Sequence, residues 1–203
     1  ELFLVNGTAD SLITAELSNW NGKAIKIPRT EVSGCNRNDV KGAGVYFLIC
    51  QEDDGTDSVY IGEAENVQDR LVQHLREYQS GKEKYYWNTA VIFVGRDLNK
   101  ALIRYLENRF VEIARECGRY AVLTKNTYKN TVMKESQIAS MEEFIDNVKI
   151  LINTLGYKVL VPAPKATDDT VYLYCKGSGA SATGFVSIGG FTVVKGSVIS
   201  DHT

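Results

Sequence analysis

Six side chains stand in an order that suits chemistry at an anionic centre. Tyr46 closes a Gly44-Val45-Tyr46 run, Tyr60 lies in Val59-Tyr60-Ile61-Gly62, Arg70 follows ten residues after Tyr60, and His74 four after that. Glu107 comes 37 residues beyond Arg70, and Asn126 lies in a later polar loop. A guanidinium presents a planar fork to phosphate oxygens and stays protonated at any working pH. A single carboxylate such as Glu107 is a hard oxygen ligand of the kind Mg²⁺ accepts while keeping several waters. A phenol, with an ordinary pKa of about 10, takes up a proton near neutrality only where a cation, a metal or an imidazole adjoins it. Cleavage of a phosphodiester needs these functions together, because developing charge must be neutralised and a water activated. Each residue also has an ordinary role when taken singly. Tyr46 and Tyr60 suit strands as aromatics, His74 suits a packed helix position, and Glu107 has Arg104 three residues before it as a surface partner. Asn130 stands close enough to Asn126 to compete for any loop role.

The elements that must hold these groups follow from pattern. Gly44 to Cys50 is a β-rich apolar run, and Val59 to Gly62 reads as its antiparallel return across an Asp53-Asp54-Gly55 turn. Asn66 stands at an N-cap, opening a helix to about Tyr78 that buries Val67, Leu71, Leu75 and Tyr78, with Arg70 and His74 sharing a face beside that stripe. Trp87 to Val94 has the content of a third strand. Asp97 or Asn99 caps the next helix, which Gly118 ends. Its main stripe is Leu102, Leu106, Arg109 or Phe110, Ile113 and Cys117, with Glu107 off the stripe in a row with Ile103, Phe110 and Ala114. A carboxylate on so apolar a row is costly to dehydrate unless a cation or donors meet it. Ser140 and Glu143 form an S-x-x-E box for a third helix, stopped at Gly156.

Upstream, Leu2 to Val5 and Lys23 to Pro28 read as strands along the main sheet, Ser11 to Trp20 as one or two helical turns around a packing Trp20, and Arg29 to Lys41 as a loop. Downstream of Pro162, Val171 to Cys175, Thr183 to Ile188 and Phe191 to Lys195 read as three short strands. The expected fold is α+β. Residues 42–160 form a small three-stranded antiparallel sheet flanked by helices, residues 1–41 add N-terminal strands and a loop packed on it, 161–169 are a linker, and 170–203 form a small β accessory unit. A first residue other than Met and a polar ending just past the last strand are the marks of a chain cut from a longer protein.

With 203 residues, 44% of them hydrophobic, the chain can bury a sizeable core. No window approaches the roughly 20 apolar residues that cross a bilayer, and residues 1–10 lack a signal-peptide layout, so the expectation is a cytoplasmic protein that does not enter the membrane. Cys35, Cys50, Cys117 and Cys175 show no paired spacing, so neither a zinc site nor a dense disulfide framework is indicated, and reduced, mostly structural thiols are expected. The net charge of −2 hides a gradient: residues 70–134 carry +7 against −7 before them and −2 after. A polyanionic ligand would meet the middle third, where Lys82, Lys84, Arg96 and Lys100 are the candidate contacts.

Gly44-Val45-Tyr46, Val59-Tyr60-Ile61-Gly62, Arg70, His74, Glu107 and Asn126, in that order, resemble the signature of GIY-YIG nucleases. The resemblance covers residues 44 to about 130, and the whole arrangement is similar to bacterial GIY-YIG proteins with an uncharacterised C-terminal domain. It implies an endonuclease that cuts DNA with one divalent ion, Mg²⁺ or Mn²⁺, held by Glu107. Tyr60 would be the general base or position the water, Tyr46 would hydrogen-bond Tyr60 and that water, Arg70 would hold the phosphate, His74 would sit near it, and Asn126 would brace the site. Glu63, directly after the second motif, departs from the cation or small polar residue of several relatives, and the neighbouring turn is acidic. Such charge weakens nonspecific attraction to DNA and leaves room for a requirement for a protein partner or self-association. The rival expectation is a nuclease fold that only binds nucleic acid or protein, without cutting.

Overall fold

The computed structural model describes residues 1–51, 55–125, 127, 132–187 and 190–198. They divide into two compact units, Glu1–Pro162 and Ala163–Thr203. The first unit opens with β1 (Leu2–Leu4), β2 (Ile13–Glu16) and β3 (Gly22–Pro28), an antiparallel meander. The segment expected as helical turns is therefore strand at its centre. A single helical turn makes few hydrogen bonds for the residues it fixes, whereas β2 pairs on both sides, with β1 and β3. Arg29–Gly34 and Asn38–Lys41 form two 3-10 turns that bury Val32 and Val40.

The central hairpin is β4 (Gly44–Gln51) and β5 (Asp57–Ala64), with Tyr46 opposite Gly62 and Leu48 opposite Tyr60. Then follow α1 (Val67–Gln79), β6 (Trp87–Gly95), α2 (Lys100–Cys117), β7 (Ala121–Val122) and α3 (Glu135–Thr154). Among the described residues, the strands of this unit form one seven-stranded sheet in the order β1-β2-β3-β6-β4-β5-β7. It is antiparallel except where β7 runs parallel to β5. The three-stranded sheet expected from the sequence is the middle of this larger one. Its β6 edge is covered because β3, buried on both faces at Ala24, Ile25 and Ile27, pairs with β6 along its whole length and leaves no open edge there.

Two cores lie on the two faces of the sheet. Period-two alternation sends Val45, Phe47 and Ile49 to a face covered by α2 and α3, through Leu106, Phe110, Phe144 and Val148. Tyr46, Leu48 and Cys50 go to the other, covered by α1 and the 3-10 turns through Val67, Leu71, Val32 and Val40. Trp20 packs as expected, its ring 4.7 Å from that of Phe144.

The caps of α1 and α2 follow the sequence. Asn66 accepts from the Asp69 N–H at 3.2 Å, and Asn99 from Ala101 and Leu102 at 3.0 and 3.2 Å; such a cap is worth about 1 kcal/mol. Gly118 takes the left-handed φ of 63° that ends α2. The third helix begins earlier than expected, at Glu135, where Lys134 donates its N–H to the Gln137 side chain at 3.0 Å. Ser140 lies inside it and donates to the Ser136 carbonyl.

The second unit consists of β8 (Tyr172–Gly177), β9 (Ala180–Ser187) and β10 (Gly190–Val193), an antiparallel sheet in which Phe185 is buried against Tyr172. No cysteine is disulfide-bonded, and Cys35, Cys50 and Cys117 are buried. Among the described residues no helix is long and apolar enough to cross a membrane.

Candidate active site

Strand register builds the first half of the site. Tyr46 faces Gly62 across the β4–β5 pair, and its phenol lies over that glycine. A Cβ on Gly62 would stand 2.6 Å from Tyr46 Cζ and 2.9 Å from Tyr60 Cε1. Gly44 is closed in the same way, since a Cβ there would meet the Phe93 carbonyl at 2.5 Å. The glycines beside the two tyrosines are thus the space into which neighbouring atoms fit. Gly62→Ala is expected to displace the Tyr46 phenol, cost about 1–3 kcal/mol of stability, and reduce any catalytic activity with it. Denaturant unfolding beside an activity measurement checks this, and an unperturbed alanine variant would mean the ring moves aside at no cost.

Tyr60 is stacked between Tyr46 and Tyr85, with ring centroids 6.3 and 5.6 Å away and interplanar angles of 25° and 15°. His74 meets both site tyrosines edge-on at 5.6 and 5.2 Å. The Tyr46 hydroxyl bonds His74 Nε2 at 3.0 Å, so its partner is the imidazole and not Tyr60, whose ring it stacks on. His74 Nδ1 in turn bonds Glu83 Oε2 at 2.5 Å. Histidine and glutamate are both buried, His74 at 1% exposure, which puts it in the core stripe of α1 and not beside it.

Arg70, one helical turn before His74, lies beside both phenols and pairs with Glu77 at 3.5 Å. Burial raises the pKa of Tyr46 and Tyr60, and Arg70 opposes that rise in each. Burial also works against the charge of Arg70, but the Tyr46 and Tyr60 oxygens and Glu77 overcome it and leave the guanidinium firmly protonated.

Glu107 comes from the opposite face of the sheet. Leu102, Leu106, Phe110 and Cys117 of the expected stripe of α2 are buried, whereas Arg109 and Ile113 are not, and the neighbouring row of Ile103, Phe110 and Ala114 is buried as well, with Glu107 within it at 7% exposure. Its charge is felt at both the Tyr46 and the Tyr60 hydroxyls. β7 pairs with β5 only at Ser58 and Val59, and the Thr124 hydroxyl accepts from the Ile61 N–H at 2.8 Å and donates to the Ile61 carbonyl at 2.7 Å. Beyond Ile61, the backbone of Glu63 is there to support the carboxylate. Burial, then the charge of Glu63, push the Glu107 carboxyl up to about 7, against weaker help from Lys100 and Arg104. Those two cations go to Glu63, Lys100 at 3.1 Å and Arg104 at 3.7 Å, and Arg109 goes to Glu142 and Glu112. The surface pairing of Glu107 with Arg104 is thus replaced by a buried carboxyl within electrostatic reach of Tyr46 and Tyr60.

Lys100, a candidate nucleic-acid contact, is committed to Glu63, which in turn has its extra negative charge locally offset. Lys82, Lys84 and Arg96 are exposed on loops. Asn126, with its rival Asn130 and the acidic pair Asp53 and Asp54, lies outside the described residues. Three participants were not singled out from sequence: Glu77, Glu83 and Tyr85. Glu77 was within reach of helical periodicity, being three residues after His74 and seven after Arg70. Glu83 and Tyr85 sit in a loop where no period links them to the helix or the strands.

Comparison with models of known families, curated proteins and solved structures returns no match.

Proposed function

We propose that the chain is a metal-dependent endonuclease that hydrolyses phosphodiester bonds in DNA, with β4, β5 and β6, α1 and α2 forming a GIY-YIG core. The observation that supports this reading is convergence: two phenols, a guanidinium and an imidazole meet on one side of β5, within electrostatic reach of the buried Glu107 carboxyl. Glu107 fits a hard divalent ion. Its carboxyl is pushed up by burial and by Glu63, and a bound cation would offset both. Mg²⁺ or Mn²⁺, if held there by Glu107, would supply Lewis-acid stabilisation of charge developing on the phosphoryl oxygens.

The residues of the chain do the remainder. Arg70 holds the phosphate with its planar fork, a contact that strengthens as charge grows in the transition state. Tyr60, fixed between two rings, positions the attacking water, and Tyr46 shares the proton of that water with His74. Lys82, Lys84 and Arg96 are the outer contacts for the DNA backbone.

The test is nicking of supercoiled, branched and single-stranded DNA by purified protein with Mg²⁺ or Mn²⁺ and with chelator, beside Glu107→Ala. Metal-dependent cutting absent from the variant supports the nuclease. Equal residual cutting by both proteins marks contamination and leaves the binding module, which the net charge of −2 and the commitment of Lys100 to Glu63 favour.

A further inference from the structure

The loop between α1 and β6 carries a buried carboxylate apart from the groups proposed to hold the phosphate and the metal ion. Glu83 is 8% exposed and lies between the exposed Lys82 and Lys84. Its position is tightly set. The backbone N–H groups of Lys82 and Glu83 both donate to the Glu77 carbonyl, at 2.9 and 3.1 Å, and Gly81 donates to Tyr78 at 3.0 Å. The far end of the loop is pinned by Arg29, whose guanidinium lies 4.8, 4.5 and 4.7 Å from the ring centres of Tyr78, Tyr86 and Trp87. So held, Glu83 places Oε2 at 2.5 Å from His74 Nδ1, while its Oε1 is buried without a hydrogen-bond partner. An ionised carboxylate only accepts, and with Glu83 in that form Nδ1 would carry the proton and leave the Nε2 lone pair to accept the Tyr46 hydroxyl at 3.0 Å.

We infer that Glu83 is a positioning residue which, through His74, fixes the direction of the Tyr46 hydroxyl and opens a proton path from it. This rests on the nuclease reading of the same site. With Tyr46 donating to Nε2, its oxygen lone pairs turn toward Arg70 and the water. As the water oxygen bonds to phosphorus, its proton passes to the Tyr46 oxygen and the phenol's own proton passes to Nε2. The imidazolium keeps its Nδ1 proton on Glu83. When the bond from phosphorus to the leaving oxygen breaks, that oxygen, in line on the far side of phosphorus, takes its proton from solvent water, and once the product has left the Nε2 proton returns to Tyr46, which releases the proton taken from the attacking water to solvent. The phenol is neutral before and after, which suits a hydroxyl whose burial disfavours phenolate. The groups around the imidazole are Glu83 and Glu77 with Tyr46 and Tyr60; Arg70 lies one turn earlier on α1 beside both phenols, and Tyr85 stacks on Tyr60.

The chain has only two histidines, His74 and His202, so ¹⁵N spectra of the imidazoles are assigned with one His202→Gln variant. The wild type is expected to show His74 as the Nδ1–H tautomer with a far-downfield proton. In Glu83→Gln, which keeps the side-chain shape, that proton moves upfield or the tautomer reverses. The same variant is expected to lower kcat roughly 10- to 100-fold and leave KM within about twofold. An Nε2–H tautomer in the wild type, or a glutamine variant unchanged in both spectrum and kcat, overturns the inference. So does loss of the Nδ1 proton on adding Zn²⁺ or Mg²⁺, which would assign His74, Glu77 and Glu83 to a metal instead. If the wild type cuts no DNA the nuclease reading falls, while the tautomer still decides whether Glu83 orients Tyr46.

Discussion

Glu107→Gln is expected to abolish divalent-dependent cutting and, above neutral pH, to make the protein more stable. Loss of a ligand oxygen's charge at a metal-assisted phosphoryl site removes at least about 10³-fold in kcat. The stability effect has the opposite sign because of where the carboxyl sits. Burial and Glu63 push its pKa from 4.5 up to about 7 in the folded chain. Between those values the folded protein holds more protons than the unfolded one, so wild-type stability falls as pH rises through that window and levels off above it. The total is on the order of 3 kcal/mol. Glutamine has no charge to bury and escapes this slope. Melting of both proteins at pH 5 and pH 8 should show a gap that grows by roughly 5–10 °C in favour of the variant, and Mg²⁺ should raise the wild type alone. A variant that melts below wild type at pH 8 would put Glu107 in a stabilising ion pair and remove it from the site. Active-site carboxyls that destabilise the empty fold are a recognised form of the trade between stability and function.

Arg70→Lys is expected to lower kcat/KM roughly 10²- to 10³-fold with little change in stability. The guanidinium lies beside two phenols and within 3.5 Å of Glu77, and its side chain is 28% exposed, so an ammonium keeps the charge without leaving a buried gap. What it loses is the fork. A lysine cannot hold two phosphoryl oxygens in one plane while facing Tyr46 and Tyr60. Because that contact strengthens in the transition state, kcat should fall more than KM rises. Steady-state nicking kinetics with thermal melts check both halves. Full activity of the lysine variant would mean a point charge suffices, and full activity of Arg70→Met would place the phosphate elsewhere.

The acidic departure at Glu63 has a different meaning once its partners are known. Lys100 and Arg104 take up its charge, so the residue that weakens nonspecific DNA attraction on paper is instead the neighbour that, after burial, keeps the Glu107 carboxyl raised. One residue thereby sets the local charge that a divalent ion would relieve.

Local pattern by itself determined the Gly44–Gly62 hairpin, the Asn66 and Asn99 caps, the Gly118 stop, and the type and order of Tyr46, Tyr60, Arg70, His74 and Glu107. These rest on short-range rules of alternation, capping and turn chemistry, which act within a few residues. Only the tertiary structure decided the rest. Ile13–Glu16 is a strand because it pairs on both sides, and the sheet has β3 beside β6, pairings that bring together residues as distant as Gly22 and Gly95. The buried face of α2 is wide enough to take in the row of Glu107 as well as Leu102 and Leu106, because it packs into one core with Phe47 and Val91 of the sheet. Tyr46 bonds His74 where Tyr60 was expected, because register lays its phenol over Gly62 toward α1. Glu83 was out of reach of any period, since a loop sets its direction through contacts with Glu77 and the Arg29 cluster. Hydrogen bonds and desolvation between distant segments leave no local periodicity behind, so the candidate residues could be named from the chain and their partners could not.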